Sequence, residues 1–241
     1  MKKVPDRPRQ AVVLAGGQGE RLRPITNTLP KAMIEFHGKP FLQYLIEMLR
    51  DQGFERVVLL LGYLPEVIVD YFGDGRELGV DIAYSVTRPD DLTAYRVQHA
   101  ASLLDDRFLL LYCDNYWPMQ FDEMWRQYIA SGRPVQITVY ANADGISRSN
   151  VRVATDGAVE VFDRSRSVPG LSGVEIGFAI IDKAVALALL PSHQVLFEDA
   201  VYPSLVQRRA LHAFVTCERY YSVGDLDRLA ATKVFLKTVN A

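Results

Sequence analysis

The strongest chemical signal in this 241-residue chain is the run Leu14-Ala15-Gly16-Gly17-Gln18-Gly19-Glu20-Arg21-Leu22-Arg23-Pro24. Three glycines directly after an apolar stretch let backbone N–H groups turn inward on an anion with no Cβ in the way. Arg21, Arg23 and then Lys31 add cationic charge against one nearby acid, Glu20. Phosphate binding is the chemistry such a segment supports. The plainer alternative is a tight turn flanked by solvated basic residues, because Gly-rich matches alone are weak signals. Two familiar phosphate loops do not match. No Gly-Lys-Ser/Thr triplet follows, so this is not a P-loop. A dinucleotide-binding turn needs a helix directly after its glycines, and Pro24 and Pro30 interrupt the stretch where it would run.

The elements that must hold this loop alternate in type. Residues 10–15 form an expected buried strand that feeds the glycines. Residues 41–52 place Leu42, Leu45, Ile46 and Leu49 at helical spacing before Gly53. Strands are expected over 57–61, 80–86, 108–112 and 135–140. Helices are expected over 65–72, which opens on a proline, and over 92–104 and 121–129. The strand over 108–112 runs almost directly into Asp114 and Asn115. Single helices between strands imply a mostly parallel (mixed) sheet with helices on both faces, a three-layer α/β/α, Rossmann-like arrangement. In the second half, strands over 150–154 and 158–162 flank Thr155-Asp156-Gly157, a hairpin signal. A further strand is expected over 174–181, with helices over 201–209 and 225–236. This half is expected to extend the same sheet and cover its crevice, so that residues 10–241 form one domain. Residues 1–9, basic with Pro5 and Pro8, are expected to be a flexible segment or linker.

Composition removes several classes. The chain is 49% hydrophobic and 23% charged with a formal net charge of −2, so no nucleic-acid or membrane surface is advertised. Cys113 and Cys217 are the only cysteines, too few for a disulfide framework or zinc knuckle. Cys113 lies in an apolar run, where a buried, inert thiol is expected. His37, His99, His193 and His212 lack metal-ligand spacing. No apolar signal core follows the amino terminus and no apolar run is long enough to span a bilayer. A cytoplasmic protein is the expectation.

The glycine run, continued by Ile25-Thr26 and by Leu29-Pro30-Lys31-Ala32-Met33, resembles the signature of the sugar-phosphate nucleotidyltransferases (sugar-nucleotide pyrophosphorylases). The resemblance extends through Gly38-Lys39-Pro40-Phe41, Phe72-Gly73-Asp74-Gly75, Gly79-Val80-Asp81-Ile82 and Asn150-Val151, over about residues 10–236. Tyr112-Cys113-Asp114-Asn115-Tyr116-Trp117-Pro118 and Tyr220-Tyr221-Ser222-Val223-Gly224 resemble the heptose 1-phosphate guanylyltransferase branch, some members of which are fused behind a heptose bisphosphate phosphatase. The resemblance implies a nucleotide-diphospho-sugar transferase fold, with residues 10–141 as the nucleotide half and 142–241 as the sugar-phosphate half. Its substrates would be a nucleoside triphosphate, GTP first, and a heptose or mannose-like 1-phosphate. Its product would be a nucleotide sugar for cell-surface polysaccharide such as lipopolysaccharide. A sugar bisphosphate phosphatase, fused or separate, and a second copy of the chain are the protein partners expected.

The reaction constrains the residues. A phosphate monoester is already an anion near neutral pH, its second ionisation lying near about 6, so no general base is needed. Positioning and positive charge must be supplied instead. By resemblance, Arg21 holds the β- and γ-phosphates and Lys31 the α-phosphate and the incoming phosphate. Asp114 is the implied magnesium ligand, Mg2+ being content with one or two carboxylates plus phosphate oxygens and water; a strand-terminal Asp can equally cap a turn. Leu14, Ala15, Gly16, Gly17, Gln18, Gly19 and Thr93 are the implied nucleotide contacts. Thr93 alone clearly matches the Gly-Thr-Gly or Gly-Thr-Ala turn of many relatives, which here reads Leu92-Thr93-Ala94. For the sugar phosphate the candidates are Arg164, Glu175 and Gly177. Here Phe162-Asp163-Arg164-Ser165-Arg166 replaces a Glu-Lys-Pro, and Glu175-Ile176-Gly177 an Asn-Ala-Gly. Glu175 would bind sugar hydroxyls or simply pair with a base nearby. Ser222 stands where many relatives have a second metal-binding Asp. Trp117, Trp125, Tyr116, Tyr220 and Tyr221 are expected to pack in the core ahead of stacking on a base; of these, Tyr116 and Trp117, which follow Asp114, are best placed to line the pocket. Two other readings stay open: a nucleotide-sugar-binding module whose catalysis has decayed, and a transferase for a non-sugar phosphate.

Overall fold

The structure, a computed structural model, describes residues 6–239. In chain order its strands of three or more residues are β1 (Gln10–Leu14), β2 (Arg56–Leu61), β3 (Asp81–Val86), β4 (Arg107–Tyr112), β5 (Val135–Tyr140), β6 (Val151–Val153), β7 (Val159–Phe162), β8 (Val174–Asp182) and β9 (Leu211–Thr216). Seven of them form one sheet in the order β9-β5-β8-β4-β1-β2-β3. β8 runs antiparallel to both its neighbours, and the other pairings are parallel. β6 and β7 make the expected hairpin.

Alternation along β1 sends Ala11 and Val13 to one face and Val12 and Leu14 to the other. Every β1 residue is buried, as a strand covered on both faces requires. The first face packs against α1 (Phe41–Asp51), α2 (Pro65–Phe72), α4 (Phe121–Ser131) and α7 (Leu226–Val239). The second packs against α3 (Thr93–His99), α5 (Lys183–Leu189) and α6 (Phe197–Gln207). The three-layer expectation holds, and β8 and β9, from the second half of the chain, lie in the same sheet as the strands of the first. Among the described residues no helix is long and apolar enough to cross a membrane.

Several boundaries differ from expectation. The helix expected over 92–104 ends at His99 and gives way to a 3-10 turn at Ala101–Leu103. α6 begins at Phe197, ahead of the expected 201, and carries Pro203 in its interior. α5 and β9 were not anticipated. α5 opens on Asp182, whose carboxylate accepts from the Val185 N–H at 3.3 Å. β9 is a short edge strand, and its exposed Val215 weakens the alternation that identifies a strand. Of the expected 1–9 linker, residues 1–5 lie outside the described residues. Pro8 is buried, and the Arg7 guanidinium lies 4.9 Å from the Phe121 ring centroid.

The chain leaves β1 for β2 on one side and returns to β4 on the other. The loops after β1 and β4 therefore diverge, and the crevice between them is where open α/β sheets bind ligands.

Candidate active site

The loops after β1 and β4, with the strip at residues 89–93, enclose a cleft of about 470 Å³, within the range of small-molecule sites. Leu14, Ala15, Gly16, Gly17, Gln18 and Gly19 line it together with Thr93, Lys31 and Asp114. These nine expected residues come together although β2, β3, β4 and the helices α1, α2 and α3 lie between Leu14 and Asp114 in the chain.

The glycine loop has the form of an anion cradle. Among the described residues, the backbone N–H groups of Gly16, Gly17, Gln18 and Gly19 donate to no protein acceptor. Gly16 is buried, Gln18 and Gly19 are half-buried and Gly17 is exposed; a buried amide without a partner is rare, and a row of free N–H groups beside a cleft suits phosphate oxygens. The loop is held from behind. Thr26 Oγ1 donates to the Gly19 carbonyl at 2.9 Å, and Gly19 sits at φ +65°. A Cβ on Gly19 would lie 3.0 Å from the Lys31 Cβ, so both backbone and space demand glycine there.

Lys31 opens a 3-10 turn (Lys31–Met33) fixed by the Met33 N–H to the Pro30 carbonyl at 2.8 Å. Its Nζ donates to Asp114 Oδ2 at 2.7 Å, with the two side chains 16% and 27% exposed. Arg21 is exposed and lines an adjoining recess with Gly19, Glu20, Lys31 and Gly224. Among the described residues it has no ion-pair or hydrogen-bond partner. Its charge is therefore free for a ligand. Val223 N–H donates to the Asp114 carbonyl at 2.9 Å, and Ser222 pairs with Asn115. The backbone thus brings Ser222 close to Asp114, but its hydroxyl is buried and accepts from the Gly224 N–H at 3.1 Å.

The other expected residues form a second cluster. The ladder between β8 and β5 shifts register between Glu175 and Ala179, an irregularity that re-aims side chains. Gly177 thereby lies against Tyr112, and Asn115 Nδ2 donates to the Ile176 carbonyl at 3.0 Å. Glu175 Oε1 accepts from the Gly177 N–H at 2.6 Å. Arg164 does not reach the nucleotide cleft. Its NH1 donates to Asp199 Oδ2 at 2.8 Å and its Nε lies 3.5 Å from Glu198 Oε1, while Tyr112 donates its hydroxyl to the same Glu198 carboxylate. Thr93 lines the cleft, but its hydroxyl is already engaged by the Phe197 N–H at 2.8 Å, at the start of α6.

A family model described as "Nucleotidyl transferase" matches residues 10–161. The chain belongs to the nucleotidyl transferase family. A UTP--glucose-1-phosphate uridylyltransferase of Synechocystis is 47% identical over 32% of the chain and 20% of the relative. Mannose-1-phosphate guanyltransferase 2 of Candida glabrata is 29% identical over 96% of the chain and 66% of the relative. The chain thus spans less than two thirds of these relatives' length. In shape it matches HddC of Yersinia pseudotuberculosis, with a TM-score of 0.79 at 22% identity over 94% of this chain and 99% of that one. HddC has also been solved with GMP-PN.

Of the two roles open to Tyr116 and Trp117 in this nucleotidyl transferase, packing is the one they take. Tyr116 and Trp117 do not line the cleft: both are buried, Trp117 packing on Phe178 and Phe214 and Tyr116 on Phe235. An aromatic pair after a strand-terminal Asp is satisfied by the core beneath the cleft. Cys113 does line the cleft, yet burial pushes its thiol up to about 12, which keeps it inert. The sequence did not single out Arg96, Tyr112 or Glu198. Glu198 and Asp199 form an acidic pair in the first turn of α6, a signal hidden by the misplaced start of that helix.

Burial pushes the Glu175 carboxyl up to about 8; the charges of Glu198 and Asp114 add to the shift, and the Gly177 amide and Arg164 oppose it. A carboxyl raised in the folded state binds a proton that the unfolded chain releases. Its stabilising effect is full below about 4.5 and fades as pH climbs towards about 8. Thermal stability of the nucleotidyl transferase should therefore decline across that window, and Glu175→Gln should flatten the decline. Melting curves with the same pH slope in both proteins would refute this assignment.

Proposed function

We propose that the protein joins a sugar 1-phosphate to a nucleoside triphosphate, releasing pyrophosphate and a nucleotide sugar. The observation that carries this reading is the meeting, at one crevice, of an unpartnered amide cradle with Lys31, Asp114 and the unpaired Arg21. A sugar phosphate oxygen attacks the α-phosphorus, a new P–O bond forms, and the bond to the β-phosphate oxygen breaks. The nucleophile arrives as an anion, which fits a site holding cations and N–H donors instead of a Ser-His-Asp set. Lys31 neutralises the α-phosphate and the incoming phosphate. Arg21, in its recess beside the glycines, receives the charge of the departing pyrophosphate. Glu175, Gly177 and the residues around Arg164 form the sugar end.

Among the described residues, no group of three or more His, Cys, Asp or Glu side chains could hold a metal. Asp114 offers one carboxylate, and one hard oxygen suits a magnesium ion that keeps most of its shell on phosphates and water. Asp114 would hold Mg2+, which when bound supplies further positive charge against the phosphates.

GTP is the proposed nucleotide and a mannose-like or heptose 1-phosphate the proposed sugar. Support comes from the guanyltransferase that matches 96% of this chain and from the missing Gly-Thr-Gly turn. Pyrophosphate release across four triphosphates and a panel of sugar 1-phosphates tests both parts. GTP should be turned over fastest. Equal turnover of UTP or dTTP would overturn the base preference, and no release with any pair would overturn the reaction.

A further inference from the structure

We propose that Arg96, which no motif of the family singled out, is the positioning residue that sets the width of the nucleotide cleft. The inference rests on the proposed function for the identity of the ligand, but its geometry is independent of it. Arg96 sits on α3 and is 3% exposed. Its guanidinium joins three chain segments. NH1 donates to the Leu61 carbonyl at the end of β2, at 2.6 Å, and to Thr87 Oγ1. NH2 donates to the Gly16 carbonyl after β1 at 3.3 Å, and to the Arg88 and Pro89 carbonyls at 3.0 and 3.3 Å.

Two glycines make room for it. A Cβ on either Gly16 or Gly62 would overlap the Arg96 guanidinium. The first glycine of the loop is thus required by the buried Arg96 cation at the base of the cleft, into which its Cβ would point. The strip Pro89-Asp90-Asp91-Leu92 forms a cleft wall together with Leu14, Ala15, Gly16, Gly17, Gln18 and Gly19. At its ends the strip is anchored by Thr87 N–H to the Leu61 carbonyl and by Leu92 N–H to Gln194. Between those anchors, Arg96 is what ties it to the glycine loop. The planar fork of a guanidinium can bridge several carbonyls at once, which an ammonium cannot copy. Convergent carbonyls at strand ends would also place negative potential behind a site for an anion, and the Arg96 cation cancels it.

Removing Arg96 should let the two walls drift while leaving Lys31, Arg21 and Asp114 in place. Arg96→Ala should weaken GTP binding and raise its KM by roughly tenfold or more, since hydrogen bonds from a charged donor are the strong ones. The kcat should change far less, and the preference for GTP over UTP should shrink. Arg96→Lys should fall between, with the fold kept. Gly16→Ala should weaken GTP binding in the wild-type background but add no loss in Arg96→Ala, where the methyl group occupies the vacated space. Calorimetric titration with GTP, steady-state kinetics and melting curves give the readouts. GTP affinity and base preference unchanged in both Arg96 variants would overturn the proposal. So would losses of KM and kcat together that simply follow a fall in Tm, or a Gly16→Ala loss equal in both backgrounds. A wild-type protein that binds GTP but transfers nothing to any sugar 1-phosphate removes the proposed reaction and leaves the Arg96 result standing. One that binds no nucleoside triphosphate removes both.

Discussion

Lys31→Ala and Arg21→Ala should each lower turnover by about two orders of magnitude or more with the fold intact, the loss expected on removing a cation that stabilises a transferring phosphoryl group. The two variants reach that loss differently. Arg21 is exposed and has no partner among the described residues, so its truncation removes no packing and no ion pair. Melting temperature should stay put while turnover collapses. Lys31 is largely covered and bonded to Asp114 at 2.7 Å. Its truncation leaves a part-exposed carboxylate alone, and pairs at that level of exposure contribute only about 0–1 kcal/mol. A small fall in melting temperature is therefore expected alongside the same collapse. Lys31→Arg keeps the charge but spreads it over a planar fork, and should recover only part of the activity. Turnover measured at saturating substrates, with melting curves on the same preparations, separates the cases. Near-normal turnover in either alanine variant would remove the glycine loop and its cations from the chemistry.

The first half of the fold was legible because its signals are local and repeated. Residues 41–51 show apolar spacing at helical period, and β1 and β2 are continuous apolar runs, as strands covered on both faces must be. The second half was less so. Pro203 lies inside α6, whereas a proline is most at home in a first turn, so the pattern places the helix start too late. Glu198 thereby lost its helix. β9 contributes six residues at the sheet edge, with Val215 turned to solvent, and its identity comes from pairing with β5. That is tertiary information.

The site divides in the same way. Gly16 to Lys31 is contiguous, so its chemistry shows in the sequence. Arg96 is a lone basic residue within a short helix, and a solvated charge is the ordinary meaning of such a residue. Only the folded chain shows that Gly16 and Gly62, from two different strand ends, lack a Cβ where its guanidinium lies. Arg164 makes the converse point. Its position after Phe162 suggests a phosphate contact, but the fold places Asp199 and Glu198 beside it. Any phosphate would have to compete with two carboxylates for that charge.

Asp114→Asn should abolish most activity, Ser222→Ala should cost little turnover, and Ser222→Asp should lower the magnesium concentration needed for half-maximal rate. The first follows from Asp114 being the carboxylate that faces both Lys31 and the cleft. An amide is neutral, so the substitution loses the metal ligand and leaves Lys31 without its counter-charge. The second follows from where the Ser222 hydroxyl points. It accepts from the Gly224 N–H, so its removal strands one buried donor, a stability cost of about 1–3 kcal/mol, and takes nothing from the cleft. Ser222→Ala should thus melt earlier yet turn over normally. The third follows from backbone placement. Ser222 pairs with Asn115, the next residue after Asp114, close enough for a carboxylate there to share a cation with Asp114. Arg21 sets a limit on that gain. Its NH2 lies 3.9 Å from where a Cβ on Gly224 would sit, and Ser222 Oγ lies 3.2 Å from the same point, so Arg21 is placed to pair with the new carboxylate. Ser222→Asp should then bind magnesium more tightly while losing some kcat, because the cation meant for pyrophosphate is partly engaged. Magnesium titration of turnover in the three variants, with calorimetric titration of the metal in the presence and absence of GTP, reads each effect separately. A Ser222→Ala variant as inactive as Asp114→Asn, or an Asp114→Asn variant close to wild type, would show that the metal is not held by a single carboxylate at Asp114.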